Sequence, residues 1–182
     1  FLNITLNQSK MKQFIFTLIA STVLVGCSNP NTSTITFDDE KTIAVRQHFQ
    51  DYLNNDVDAM ATHWSDDLIV SGSSIEGTVG LDDAKGVIGL HHMLFSDISI
   101  TAPGQEGDLY AETTYYAESG ETWTKTWYSW KGTGKFTGNK ASDLSMSGFR
   151  WEDGKIVEEV HFGDGSSVET ELFAYQLAQT KD

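Results

Sequence analysis

The stretch FRWEDGKIVEEVHFGD, Phe149 to Asp164, decides how the chain is read. It reads as two strands joined by a tight turn. Asp153-Gly154 is a hairpin dipeptide, because a type I′ turn requires positive φ at both central residues. Beyond the turn, alternation places Ile156, Glu158, Val160 and Phe162 on one face. Val157, Glu159 and His161 fall on the other. The Ile156 face is predicted to be the buried one, with His161 on the exterior. Glu158, and with it Asp164, would then point into an apolar interior. A carboxylate there needs a partner, a shifted pKa or a chemical role.

Working back from this hairpin, three strands precede the turn, over Leu109–Ala117, Thr122–Lys131 and Leu144–Trp151. Ser119-Gly120 joins the first two as a hairpin. Gly132-Thr133-Gly134 and Thr137-Gly138-Asn139 mark a break or bulge before the third. Upstream, the pattern is helical. Asp38 or Asp39 caps a helix whose apolar face is Val45, Phe49, Tyr52 and Leu53. His48 falls on its solvent side. Asp56 caps a short second helix carrying Met60 and Trp64, and Leu68–Ser71 reads as a strand. A third helix starts at Asp82 with the stripe Ala84, Val87, Ile88, His91, Leu94 and Phe95. Its Gly86 and Gly89 suggest close packing or a bend. Ile98 and Ile100 alternate in a strand that ends at Ala102-Pro103-Gly104. Val168, Leu172, Tyr175 and Ala178 give a closing helix. Helices followed by a mostly antiparallel sheet make an α+β domain.

The 182 residues suit one domain with a proper core, at 39% hydrophobic and 12% aromatic. A formal charge of −14 argues against a nucleic-acid partner, which would need a basic face. At the front, Lys10 and Lys12 flank an apolar run from Phe14 to Val25, too short for a comfortable membrane span. It ends in Leu24-Val25-Gly26-Cys27. This resembles the bacterial lipoprotein signal, in which the cysteine becomes the lipidated first residue; an ordinary signal peptide or an uncleaved anchor is the other reading. The resemblance implies a start at Met11, residues 1–10 lying upstream, a signal peptide over 11–26, a lipidated tether over 27–37 and a folded domain over 38–182. Losing Lys10 and Lys12 would take the charge from −14 to −16. Ser28, next to the cysteine, implies the outer membrane, facing the periplasm or the cell surface, with the lipid as the membrane contact.

The order of elements, with Phe149-Arg150, the run Glu152-Asp153-Gly154-Lys155-Ile156-Val157-Glu158, Asp164 and Gln176-Leu177, resembles the nuclear transport factor 2-like superfamily. The closer resemblance is to its SnoaL-like polyketide cyclase branch, over roughly residues 40–178. It implies three N-terminal helices packed on a curved, mostly antiparallel sheet as a cone, with a pocket between them. In cyclase members an aspartate at the position resembling Asp164 acts as acid and base. Here Gly163 precedes it and Gly165 follows, a pattern that also fits a solvent-facing turn.

Candidate residues follow. Asp164, with His91 from the third helix, is the catalytic candidate; the other reading of Asp164 is a turn residue bonding its own backbone. Trp64, Trp127, Tyr116, Glu158 and His63 are the candidate pocket residues, and Glu158 also reads as a partner of Arg150 across the hairpin. No metal site and no cofactor fingerprint is legible. Three functions stay open. The first is binding a small, partly apolar ligand in the cone. The second is acid–base isomerisation, cyclisation or hydration by Asp164 and a helix histidine. The third is an interaction module that homodimerises through an aromatic sheet face.

Overall fold

The computed structural model describes residues 32–103 and 109–180. The signal-peptide and lipidation readings, Cys27 included, lie outside the described residues. Residues 34–36, within the stretch read as tether, form a strand. Strand β1 (Thr34–Thr36) pairs antiparallel with β4 (Tyr110–Tyr115). Asp39 ties this edge to the first helix, α1 (Glu40–Leu53). Its carboxylate accepts from Thr42 N at 2.8 Å as the cap, and also from Thr36 Oγ1 at 2.9 Å and Tyr115 Oη at 2.7 Å. Burial works to raise this carboxyl, but these bonds outweigh it and hold the pKa far below the ordinary range.

Asp56 caps the second helix, α2 (Val57–Ala61), through Ala59 N at 3.0 Å. That helix ends three residues short of Trp64, which instead begins strand β2 (Trp64–Gly72). Helix α3 (Leu81–Leu94) is capped by Gly80, so Asp82 sits in its first turn, against the positive end of the helix dipole. Gly86 and Gly89 face open space, so close packing does not explain them. Phe95, read as helical, opens strand β3 (Phe95–Thr101).

Strands β5 (Thr122–Gly134), β6 (Lys140–Glu152) and β7 (Lys155–Phe162) form the long part of the sheet, and helix α4 (Ser166–Gln179) closes the chain. Asp153 and Gly154 have φ of 48° and 76°, as the type I′ turn demands. The sheet order is β1-β4-β5-β6-β7-β2, with β3 alongside β4 on one edge of β5. All pairs are antiparallel except β2 with β7, which is parallel. Bulges in β2, β3 and between Arg150 and Trp151 bend the sheet around the helices. The core runs from Val45 and Phe49 on α1 through Leu94 to Phe149, Trp151 and Ile156 on the concave face.

The turn between β5 and β6 is held by one buried carboxylate. Glu171 on α4 accepts from Phe136 N, Thr137 N and Thr137 Oγ1, the last at 2.6 Å. A side chain at Gly134 would collide with that carboxylate, which accounts for glycine at this strand end. Replacing Glu171 with alanine strips these donors of their acceptor. Urea denaturation of Glu171→Ala should show a loss of about 2–4 kcal/mol.

Candidate functional site

Between α1, α3 and the concave face lies a cavity of about 400 Å³. Apolar side chains such as Phe49, Val79, Ile88, Ile100 and Phe149 line much of it. Polar groups enter at a few points, chiefly Tyr52, His91, Tyr128, Glu159 and His161. This is the composition of a small-molecule site: apolar walls with a small number of fixed polar contacts.

The deepest polar group is Glu159, at 3% exposure. Its Oε1 accepts from Trp64 Nε1 at 2.5 Å and its Oε2 bonds His161 Nε2 at 3.0 Å. His48 Nε2 stands 3.6 Å from Oε1. Burial pushes Glu159 up, yet the bond from His161, the neighbouring imidazoles and the Trp64 indole outweigh it and leave the pKa lowered. His48 is itself buried. Desolvation lowers it to about 4 despite the pull of Glu159. The pair therefore rests as an anionic carboxylate beside a neutral imidazole. His48 Nδ1 is buried with no hydrogen-bond partner among the described residues.

One chain of hydrogen bonds leads from this floor into the cavity wall, and a second, separate chain lies beside it. In the first, His161 Nδ1 meets Ser147 Oγ at 2.7 Å, and Ser147 Oγ meets Tyr128 Oη at 3.0 Å. In the second, Trp130 Nε1 donates to Tyr52 Oη at 2.8 Å, and Tyr52 Oη lies 3.1 Å from His91 Nδ1. An indole N–H only donates, so Tyr52 Oη accepts from Trp130 and has its own proton to give to His91 Nδ1. His91 then carries its own proton on Nε2. Burial, with His92 and His161 nearby, lowers His91 to about 4 and keeps it neutral.

The sequence-predicted residues part company here. Trp64 and His91 line the cavity, and Asp164 stands at its mouth. Asp164 is fully exposed, and its Oδ1 accepts from Ser166 N at 2.9 Å as a turn residue does. Glu158 points to the outer face and pairs with Arg150 Nε at 2.8 Å. The cause is the bulge between Arg150 and Trp151, which sends Ile156 inward but then brings Glu159 and His161 to the inside. His161, read as exterior, thus lines the cavity. Trp127 and Tyr116 lie outside it: Trp127 packs at a tilt against Tyr110 on the convex face, and Tyr116 lines a separate groove there. His63 sits behind the floor, its ring 6.1 Å from that of His48. His48 is buried where a solvent position was expected. The sequence reading missed Glu159, His48, Ser147 and Tyr52 as site residues. His48 had a signal, since it follows Val45 by three positions on the same helix face. Glu159 had none, because no glycine or proline marks the bulge.

No family model and no curated protein matches the sequence. Solved structures do resemble it. IdmH of Streptomyces antibioticus, a candidate polyketide cyclase, shares 15% identity at a TM-score of 0.54, over 74% of this chain and 99% of its own. An NTF2-like protein of Burkholderia pseudomallei shares 13% at 0.54, over 71% and 95%. A protein of Catenulispora acidiphila with a ketosteroid isomerase-like fold, in complex with trimethylamine, shares 14% at 0.52, over 70% and 90%. The chain has the nuclear transport factor 2-like fold, α+β, with helices on a curved and mostly antiparallel sheet.

The neutral state of His48 and His91 has a consequence for stability. The unfolded chain takes up protons on both below 6.5, whereas the folded chain refuses them until about 4. Stability should fall as pH drops from 6.5 to 4, and urea midpoints taken in steps across that window measure it. His91→Gln should flatten part of the slope.

Proposed function

We propose that the chain is a SnoaL-like lipoprotein whose cone binds a small, partly apolar ligand. The observation that carries this reading is the cavity of about 400 Å³ with apolar walls and one anchored polar floor. Its volume suits a one- or two-ring molecule or a short acyl chain. Both Glu159 oxygens are held by protein donors, and Tyr128 and His91 are the polar contacts we assign to the ligand. Asp164 has no necessary part, since its carboxylate is exposed and occupied by its own turn. The lipid anchor at Cys27, export, and attachment to the outer membrane belong to the same proposal and rest on the sequence of the first 28 residues.

A second reading concerns the convex face. Tyr110, Trp127, Met146 and Phe162 are paired across β4, β5, β6 and β7 and form one transverse apolar row. Leu144 beside it is 72% exposed. Such a continuous patch is seldom left to water, and it favours homodimerisation through the sheet.

Binding is tested with N-phenyl-1-naphthylamine, whose emission rises in apolar surroundings. The protein should enhance it. Val87→Trp, which adds bulk at a half-exposed cavity residue, should weaken binding at least about tenfold. Enhancement that ignores this substitution would remove the cavity reading. For the convex face, Leu144→Lys should convert a dimer to monomer in sedimentation velocity and leave the probe signal unchanged. A wild-type monomer at every concentration would remove that reading.

A further inference from the structure

The hydrogen bonds around Glu159 can be assigned proton by proton, and the assignment has a direction. An ionised carboxylate only accepts, so Trp64 Nε1 and His161 Nε2 both donate to Glu159. We take His161 in the Nε2–H tautomer, which leaves a lone pair at Nδ1. Ser147 Oγ, 2.7 Å away, must then donate to it. The Ser147 oxygen in turn accepts from Tyr128 Oη at 3.0 Å. Every proton in this chain points towards Glu159. The other end is the Tyr128 phenol oxygen, which lines the cavity beside Ser145. Ser147 is fully buried and does not reach the cavity, so it serves only as a link.

Both nitrogens of His161 are engaged, so its proton traffic passes through Ser147. Beside Tyr128 the second chain fixes a group of opposite character. Trp130, two residues along the same face of β5, holds Tyr52, and Tyr52 holds His91 with its proton on Nε2. Among the described residues His91 Nε2 meets no protein acceptor, and its ring lines the cavity. The wall thus offers a proton acceptor backed by a carboxylate, and a separate fixed donor.

We propose that Tyr128, Ser147, His161 and Glu159 form a proton relay that takes the hydroxyl proton of a phenol or enol bound in the cavity. The inference rests on the cavity being a ligand site. In the step, the ligand O–H bond breaks and its proton joins Tyr128 Oη. Tyr128 passes its own proton to Ser147 Oγ, and Ser147 passes its proton to His161 Nδ1. The imidazolium so formed lies against the Glu159 carboxylate, which meets its charge. The ligand oxyanion is held by Tyr128 Oη–H and His91 Nε2–H. No other bond changes, and the reverse sequence returns the proton. Tyr128 is the residue that touches the ligand; Ser147, His161 and Glu159 act through it. The other titratable groups around the cavity are His48 and Tyr52 from α1, His91 from α3, Asp143 from β6, and Asp164 and Glu169 at the mouth. Asp143, raised by burial and by the Asp164 charge, adds no cation that would hold an oxyanion.

The probe is 4-nitrophenol, whose phenolate is coloured. Equilibrium dialysis gives occupancy, and the absorbance of the bound fraction gives its protonation state. Bound to the wild type, the probe should ionise about tenfold more readily than in solution, one unit of pKa. Ser147→Ala should still bind it and Tyr128→Phe should bind it more weakly, and in both the bound fraction should ionise no more than in free solution. Should Ser147→Ala lose its fold by circular dichroism, Tyr128→Phe supplies the comparison. Occupancy without a gain in ionisation would overturn the relay and leave the ligand-site reading standing. Ionisation that survives both substitutions would also overturn it. An empty protein in dialysis would remove the ligand-site reading, and the relay with it.

Discussion

A carboxylate buried away from water has to be satisfied by protein donors, and Glu159 imposes that requirement on much of the molecule. Its two oxygens draw in Trp64 from β2 and His161 from its own strand. His48 on α1 is packed against the same group. The first helix, the parallel edge and the C-terminal hairpin thus meet at one anion. Breaking such a group away from its partners is costly, on the order of 3–5 kcal/mol, because the charge is left uncompensated. The cavity above this floor stays open while the floor itself is closed, so a molecule entering passes Asp164 and Glu169 at the mouth and then reaches apolar walls.

Much of the fold was legible from residue patterns. The Asp153-Gly154 turn, the caps at Asp39 and Asp56, and the period-two strands of the C-terminal half all follow from local chemistry. The site was legible only in part. Strand parity is a safe guide until a bulge absorbs one residue, and here the bulge falls between Arg150 and Trp151. Ile156 is buried as its pattern suggested, whereas Glu158 and Glu159 exchange the places that alternation assigned them. Adjacent glutamates cannot be told apart by composition. The choice depends on the long-range meeting of β7 with Trp64, which no local pattern encodes. Trp64 was misread for a related reason: helical spacing continued past Ala61, but the parallel partner strand was the stronger claim.

The aromatic residues divide by the same alternation into two populations with different work. Tyr128 and Trp130 face inward, where their polar tips find Ser147 and Tyr52. Trp123 and Trp127 face outward; Trp123 packs over Gly148, and Trp127 against Tyr110. Buried tyrosine and tryptophan need a partner for the O–H or N–H, and the inward set has one in each case. The outward set needs none from the protein, since one end of each ring remains wet.

The parallel pairing of β2 with β7 joins segments some ninety positions apart, and Ile156 N reaches back to His63 O at 2.8 Å. Such a link is paid for in loop-closure entropy before any contact rewards it. During synthesis the chain emerges from its N-terminal end, so Trp64 and the rest of β2 are made long before their neighbour exists. The wall is sealed only once β7, the last of the seven described strands, has left the ribosome. Until then the molecule has no finished interior, and its apolar segments remain open to chaperones and to handling as an unfolded thread.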